Sequence, residues 1–64
     1  MGYKIREFRE DIGMSQIELS KKAGVSRAII SGLESGTIKV TTTKTLIKIA
    51  NALNKKVSDI FFEV

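Results

Sequence analysis

Apolar residues recur along this chain at the three- and four-residue spacing of amphipathic helices. No segment shows the alternation of apolar and polar residues that is typical of a strand. Near the N-terminus, Ile5, Phe8 and Ile12 fall on one face, which predicts a first helix ending near Gly13. The same spacing recurs later and predicts a fourth helix whose inward residues are Leu46, Ile49, Ala50 and Leu53.

Capping residues and a glycine divide the middle of the chain into two predicted short helices. Ser15 and Glu18 form a capping box, which begins a second helix that ends just before Gly24. Gly24 can adopt positive φ as a C-cap, and Ser26 can cap a third helix that ends at "SG", residues 35–36. Two short helices are therefore predicted to meet at a tight turn.

The C-terminal part predicts two further helices. Thr42 or Thr43 can cap the fourth helix, and Ser58 can cap a last turn. With no strand signal in competition, the predicted class is all-α with five helices. The residues expected to dock the last turn on the core are Val57, Ile60 and Phe61.

Composition narrows the functional classes. The 64 residues, 42% of them hydrophobic, predict one small domain spanning 1–64 with a thin core. The chain has no cysteine and no histidine, which excludes disulfides and the usual zinc sites. Without those side chains or a phosphate-cradling Gly-x-x-x-x-Gly-Lys loop, we expect no enzyme, no cofactor and no small-molecule ligand. The N-terminal "MGYKIREFREDIG" has no apolar run, so we expect a soluble, cytoplasmic protein without a signal peptide or membrane span.

The positive charge is concentrated in one part of the chain. The net charge is +4, and residues 37–56 carry five lysines and no acidic residue. Such a stretch can attract phosphates, but runs of charge are more often solvated faces. Charge alone therefore does not decide the function.

The segment "SQIELSKKAGVSRAIISGLESG", residues 15–36, resembles the helix-turn-helix of phage repressor and Cro-type regulators, the xenobiotic-response-element family. Downstream, "TLIKIANALNKKVSDIF" is similar to the family's closing helices. The resemblance implies a compact, five-helix, lambda-repressor-like domain that binds double-stranded DNA as a transcriptional regulator, specifically a repressor. Two departures stand out: Thr41 replaces a common proline, and Ile17 replaces a polar residue, which predicts an exposed aliphatic side chain. The matching residues are Gln16, Leu19, Ser20, Ala23, Gly24, Val25, Ile30 and Leu33.

The third helix resembles the family's recognition helix, which lies in the major groove. The helical projection places small residues (28, 31, 32 and 35) opposite Ile30 and Leu33, and a face of low relief would let the backbone approach the base edges. Small residues equally suit an ordinary surface helix. Arg27 can donate two hydrogen bonds to guanine, although a phosphate contact or a surface charge is the alternative. The base-reading candidates are Arg27, Ala28, Ile29, Ser31 and Gly32, with Gly32 presenting no side chain and so leaving a role for DNA shape.

A second group of residues is expected to contact the DNA backbone. Gln16 and the free N–H groups that begin the second helix suit a phosphate oxygen. Lys39 matches a backbone-contacting position of similar regulators. The resemblance also implies a structural pair between Arg9 and Glu34, the alternative being two independent surface charges. The phosphate candidates are Gln16, Ser26, Lys39, Arg9 and Lys44, and the structural candidates are Arg9, Glu34 and Gly24.

Regulators of this type usually bind two-fold operators as homodimers. The C-terminal "DIFFEV" has more apolar side chains than one short helix can bury, so Phe62 and Val64 are dimer candidates. Alternatively, Phe62 closes the monomer core while Val64 frays.

The main rival function is a protein-interaction module, antitoxin-like or binding a partner helix through Ile17, Ile29 and Phe62. Single-stranded nucleic-acid binding would need a stacking platform that the scattered aromatic residues do not form. Binding to a membrane surface conflicts with the spacing of the fourth helix, whose apolar face is used internally.

Overall fold

A computed structural model describes residues 2–62 of the chain, and the predicted all-α class is confirmed. The five helices are α1 (Ile5–Asp11), α2 (Gln16–Ala23), α3 (Arg27–Ser35), α4 (Thr43–Ala52) and α5 (Val57–Ile60). Two strands of two residues each, β1 (Gly2–Tyr3) and β2 (Phe61–Phe62), pair antiparallel with Tyr3 opposite Phe61. Of the dimer candidates, Val64 and the side chain of Phe62 lie outside the described part of the chain.

The capping signals predicted for α2 and α3 are confirmed. The Ser15 hydroxyl accepts from the Glu18 backbone N–H, and the Glu18 carboxylate accepts from the Ser15 backbone N–H, both at 3.0 Å. Gly24 adopts the left-handed conformation with φ of 69°, and the Ser26 hydroxyl accepts from the Ile29 N–H at 3.2 Å. Of the two threonines considered for α4, Thr42 is the cap. Because these bonds join residues within three positions of each other, the local sequence is sufficient to predict them.

One predicted inward residue and one predicted helix cap are wrong. Helix α1 ends at Asp11, near Gly13 as predicted, but Ile12, expected to face inward, is 57% exposed because the chain leaves the helix before its side chain reaches the core. Ser58 is not the cap of α5, which begins at Val57. Instead, the Asp59 carboxylate accepts from the backbone N–H of Lys56 at 3.0 Å and satisfies the helix start from inside the first turn.

Each helix contributes one fully buried aliphatic side chain to the core. The predicted inward residues Leu33, Ala50 and Leu53 are buried with them, and Phe8 packs against the cluster while remaining half-buried. This arrangement orients α2 and α3 about a common centre and leaves their N-termini on the surface. The largest of the fully buried side chains, one from each helix, are Ile5, Leu19, Ile30, Ile49 and Ile60.

The pairing of the chain ends was not predicted. The backbone N–H of Lys4 donates to the carbonyl of Ile60 at 2.7 Å, and the rings of Tyr3 and Phe61 lie with their centroids 5.4 Å apart. A strand of two residues is too short to show alternation in the sequence. We call this arrangement of residues 2–4 with 60–62 the terminal clasp.

Gly32 is buried, so the expectation that it lies on the outward face of α3 is wrong. Its carbonyl accepts from the Ile38 N–H at 2.9 Å, and the Ile38 side chain covers the helix at this position. A Cβ added to Gly32 would lie 2.5 Å from the Ile38 side chain. Gly32 therefore allows the segment after α3 to fold closely over the helix.

We expect Gly32→Ala to lower the free energy of unfolding by about 1–2 kcal/mol, because displacing Ile38 outweighs the gain in helix propensity. Urea unfolding would measure the change. Ile38→Ala removes the obstructing side chain, so the double variant should cost less than the sum of the two single variants. A stabilised Gly32→Ala protein, as expected at an open helix position, would contradict this interpretation.

Candidate nucleic-acid interface

The exposed side of α3 is formed mostly by small residues. Arg27 and Ala28 are exposed in its first turn, Ser35 is exposed at its end, and Ser31 is half-buried between them. Ile29 is half-buried and packs against the core. Of the five base-reading candidates, the structure therefore groups Arg27, Ala28 and Ser31 on the accessible side and turns Ile29 and Gly32 away from it.

The turn between α2 and α3 brings the N-termini of both helices to the same surface. The Ser20 hydroxyl donates to the Val25 carbonyl at 2.6 Å, and the Ser20 carbonyl accepts from the Gly24 N–H at 3.0 Å. These bonds hold the turn from within. Ser20 was predicted only as one of the residues that match the family, because the partner of its hydroxyl depends on the path of the turn.

Gln16 and Arg27 meet at this surface. The Arg27 Nε lies 3.5 Å from the Gln16 Oε1, which accepts from it, and the Gln16 Nε2 donates to Glu34 Oε1 at 3.1 Å. The two Nη groups of Arg27 make no hydrogen bond within residues 2–62. The structure thus places a phosphate candidate beside a base-reading candidate, with the guanidinium fork still available.

Glu34 is the centre of a polar network under this surface. Its side chain is fully buried, and its two oxygens accept from Arg9 Nε and Arg9 Nη2, each at 2.9 Å. Oε1 also accepts from Arg6 Nε at 3.3 Å and from the Gln16 amide. The pair with Arg9 was predicted from the family resemblance, whereas Arg6 and Gln16 were not predicted because they converge on Glu34 only after α1, α2 and α3 have packed.

The network sets the ionisation of its members. Burial raises the pKa of Glu34, but hydrogen bonds from Arg9, Gln16 and Arg6 outweigh that effect and hold the pKa below its usual value. The hydrogen bond to Glu34 raises the pKa of Arg9 despite its burial. Both groups are therefore charged at neutral pH.

Arg9 faces inward, away from the other phosphate candidates. It is only 9% exposed, and its Nη1 donates to the Met14 carbonyl at 2.7 Å while the other donors serve Glu34. The hydrogen bonds of Arg9 therefore connect α1 to α3 and to the start of α2. The structure does not bring the guanidinium to the surface that Gln16 and Arg27 share.

The remaining phosphate candidates flank α3. Ser26 is exposed at its N-cap, Lys39 is exposed in the segment after it, and Lys44 is exposed in the first turn of α4. The carbonyl of Lys39 accepts from the Tyr3 hydroxyl at 2.9 Å. No hydrogen bond joins either lysine side chain to Gln16 or Arg27 within the described range.

Residues 2–62 contain neither a candidate membrane span nor a candidate metal cluster. No helix there combines the length and apolar character needed to cross a bilayer. That part of the chain also holds no group of three or more acidic side chains placed to bind a metal ion.

Comparisons with known proteins agree with this geometry. The helix-turn-helix family model matches residues 5–60. Two curated relatives from Archaeoglobus fulgidus, each named as an uncharacterized HTH-type transcriptional regulator, are 43% identical over 61 residues. The match covers 95% of this chain and 86% and 84% of the two relatives.

Solved structures are similar over most of their length. SinR, described as the master regulator for biofilm formation and solved in complex with DNA, is 29% identical, with a TM-score of 0.83 over 86% of this chain and 87% of its own. The restriction-modification controller protein C.AhdI from Aeromonas hydrophila is also 29% identical, with a TM-score of 0.84 over 91% of this chain and 86% of its own. These proteins are regulators rather than enzymes, in agreement with the prediction from composition. The chain belongs to the helix-turn-helix family of phage repressor and Cro-type regulators.

Proposed function

We propose that this protein is a transcriptional repressor that binds double-stranded DNA sequence-specifically with α3 in the major groove. The main observation behind the proposal is the contact between Gln16 and Arg27. Because these residues begin α2 and α3, the contact brings the N-termini of the two helices together at one surface. SinR, similar in fold and sequence, is solved with DNA, and the archaeal relatives are named as transcriptional regulators. Both likenesses support a DNA-binding role here.

The geometry accounts for each step of such binding. The side chains of Ala28 and Ser31 are small, so α3 could approach the base edges while Arg27 donates its two Nη groups to guanine O6 and N7. One hydrogen of the Gln16 amide is directed to Glu34, and the second remains for a phosphate oxygen. The first backbone N–H groups of α2 lack partners within the helix and favour an anion at the same place.

Further contacts would fix the register on the duplex. The Ser26 hydroxyl accepts a bond from the Ile29 N–H, and its own hydrogen remains available for a phosphate. Lys39, within the segment between α3 and α4, and Lys44, in the first turn of α4, supply positive charge. Phosphate contacts position the protein, whereas Arg27 would carry the sequence preference.

We further propose that the protein acts as a homodimer on a two-fold operator. One recognition helix contacts few base pairs, and two copies would read half-sites about one helical turn apart. The apolar residues Phe62 and Val64 remain the candidates for the dimer contact.

A protein-interaction module is the second candidate function, and exposed aliphatic side chains favour it. Ile17 is 50% exposed, as its place in the sequence predicted, and Val40 is 76% exposed. Ile29, by contrast, is half-buried against the core and is less available to a partner. Such a module would bind its partner without appreciable affinity for DNA.

Selection from random-sequence duplex DNA over a salt series distinguishes the two candidates. We expect an enriched inverted repeat. The logarithm of the binding constant should fall linearly with the logarithm of the salt concentration, because phosphate contacts release counterions. The measurement is sequencing of the bound pool, followed by fluorescence anisotropy with the enriched duplex. An unenriched pool, with weak binding lost at moderate salt, would contradict the proposal and favour the interaction module.

A further inference from the structure

The segment joining α3 to α4, residues 36–42, is held at two points although it contains no proline. We call it the Lys39 loop. At one point the Ile38 N–H donates to the Gly32 carbonyl at 2.9 Å, which attaches the loop to α3. At the other, the Tyr3 hydroxyl donates to the carbonyl of Lys39 itself at 2.9 Å, across 36 positions of sequence.

The terminal clasp determines where the Tyr3 hydroxyl lies. Tyr3 pairs with Phe61 in the two-stranded sheet, their rings are in contact, and the next N–H, that of Lys4, donates to Ile60. The half-buried Tyr3 ring is therefore held at the paired chain ends, where it packs against Phe61 and the core. From this position its hydroxyl donates to the Lys39 carbonyl in a bond that lies at the surface.

A bond to the Lys39 carbonyl constrains the backbone from which the Lys39 side chain departs. Fixing the peptide group between residues 39 and 40 limits the directions in which the lysine side chain can extend. A long lysine side chain loses much conformational freedom when it contacts a phosphate. A backbone that is ordered before binding reduces that loss, because part of the entropy cost is met on folding.

We propose that Tyr3 is a positioning residue for DNA binding: its hydroxyl orients the Lys39 loop so that Lys39 meets a phosphate beside α3. The proposal rests on the proposed function and assigns a role to a residue that is distant in sequence from the helix-turn-helix. It also gives the terminal clasp a function, because the paired chain ends become the support of a DNA-contacting loop.

The test compares Tyr3→Phe with the wild type on two duplexes: the one enriched by the wild-type protein and one of mixed sequence. Phenylalanine retains the ring that packs on Phe61 and removes only the hydroxyl. We expect about threefold to fivefold weaker binding to both duplexes, the scale of one lost hydrogen bond. We also expect a shallower dependence on salt, approaching the decrease of about 0.9 in slope for one lost phosphate contact.

A double-mutant cycle with Lys39→Gln separates positioning from a general structural effect. If Tyr3 acts through Lys39, the Tyr3→Phe effect disappears once Lys39 is replaced. Lys44→Gln is the matched control, because Lys44 is also exposed near the loop but does not contact Tyr3; in that background the Tyr3→Phe effect should persist. Circular dichroism sets a temperature at which every variant is fully folded, so that a change in stability does not imitate a change in binding.

The outcomes separate this proposal from the proposed function. Equal weakening by Tyr3→Phe with and without Lys39, or no weakening in the wild-type background, overturns the positioning role while DNA binding stands. A Lys39→Gln protein that binds like the wild type overturns it as well. Failure of the wild type to bind either duplex removes the proposed function, and the positioning role with it, before any variant is compared.

Discussion

Replacing Glu34 by alanine is expected to lower the free energy of unfolding by about 3 kcal/mol, because removal of one partner leaves a buried charge uncompensated. Arg9 is only 9% exposed and directs two hydrogen bonds at the Glu34 carboxylate. A domain of this size has a total stability of about 3–10 kcal/mol, so the loss would be a large share of it. Urea unfolding followed by circular dichroism would measure it.

Two comparison variants identify the cause. Glu7→Ala removes an exposed acid from α1 and should change stability by less than about 0.5 kcal/mol. Replacing Arg9 by methionine together with Glu34 by leucine removes both charges. This double variant should recover most of the free energy of unfolding that Glu34→Ala loses, because no buried charge is left without its partner. If Glu34→Ala costs no more than Glu7→Ala, the network is not a major source of stability.

Acid titration tests the ionic part of the same network. Since the pKa of Glu34 is lower in the folded protein than its ordinary value of 4.5, the unfolded chain takes up the proton first as pH falls. The stabilisation is therefore complete above about pH 4.5 and is lost as the pH falls through the folded pKa below it. In Glu34→Gln, this acid-dependent part of the unfolding free energy should be absent.

Replacing Arg27 by alanine is expected to relax the sequence preference at one symmetric base pair by about 1–3 kcal/mol per half-site, roughly 5-fold to 150-fold. The exposed position of Arg27 at the start of α3, with both Nη groups available, supports a bidentate contact with guanine. The measurement is selection and sequencing with the variant, followed by anisotropy on duplexes that differ only at the affected pair.

Charge and geometry can be separated at this position. Arg27→Lys keeps the positive charge but loses the fork, so it should retain the salt dependence while the preference relaxes. Lys48→Ala, which removes an exposed cation from α4, is the matched control and should leave the preference intact. Arg27→Ala binding that weakens equally on every sequence would assign Arg27 to a phosphate instead of a base.

The elements of this protein were predictable where the decisive interactions are local. The reciprocal Ser15 and Glu18 bonds and the Thr42 cap join residues three positions apart, and the left-handed Gly24 donates to Ser20 four positions away. The buried residues Ile5 and Ile49 are likewise visible as helical spacing, and Ile30 as the inward side of the third helix. The inward position of Ile12 and the cap at Ser58 were predicted wrongly because packing decides which of several adjacent residues ends or begins a helix.

The candidate site was only partly predictable. Its residue types followed from the resemblance of residues 15–36 to known regulators, and Arg27 and Gln16 do lie together on the surface. Gly32 looked like an outward position on a helical projection, but the projection could not include Ile38, which returns over the helix from outside it. Arg9 looked available to a phosphate until its donors were seen directed at Glu34 and Met14.

By itself, the sequence determined the helices, the caps of α2, α3 and α4, and the family, because short-range hydrogen bonds and hydrophobic periodicity are encoded in neighbouring residues. Only the tertiary structure decided that Glu34 receives Arg6 and Gln16 as well as Arg9, that the chain ends pair, and that Tyr3 reaches Lys39. Those contacts join residues 18 to 60 positions apart, and they exist only after the helices have packed around their common core. No local sequence pattern predicts which distant partner a polar side chain will contact once the helices have packed.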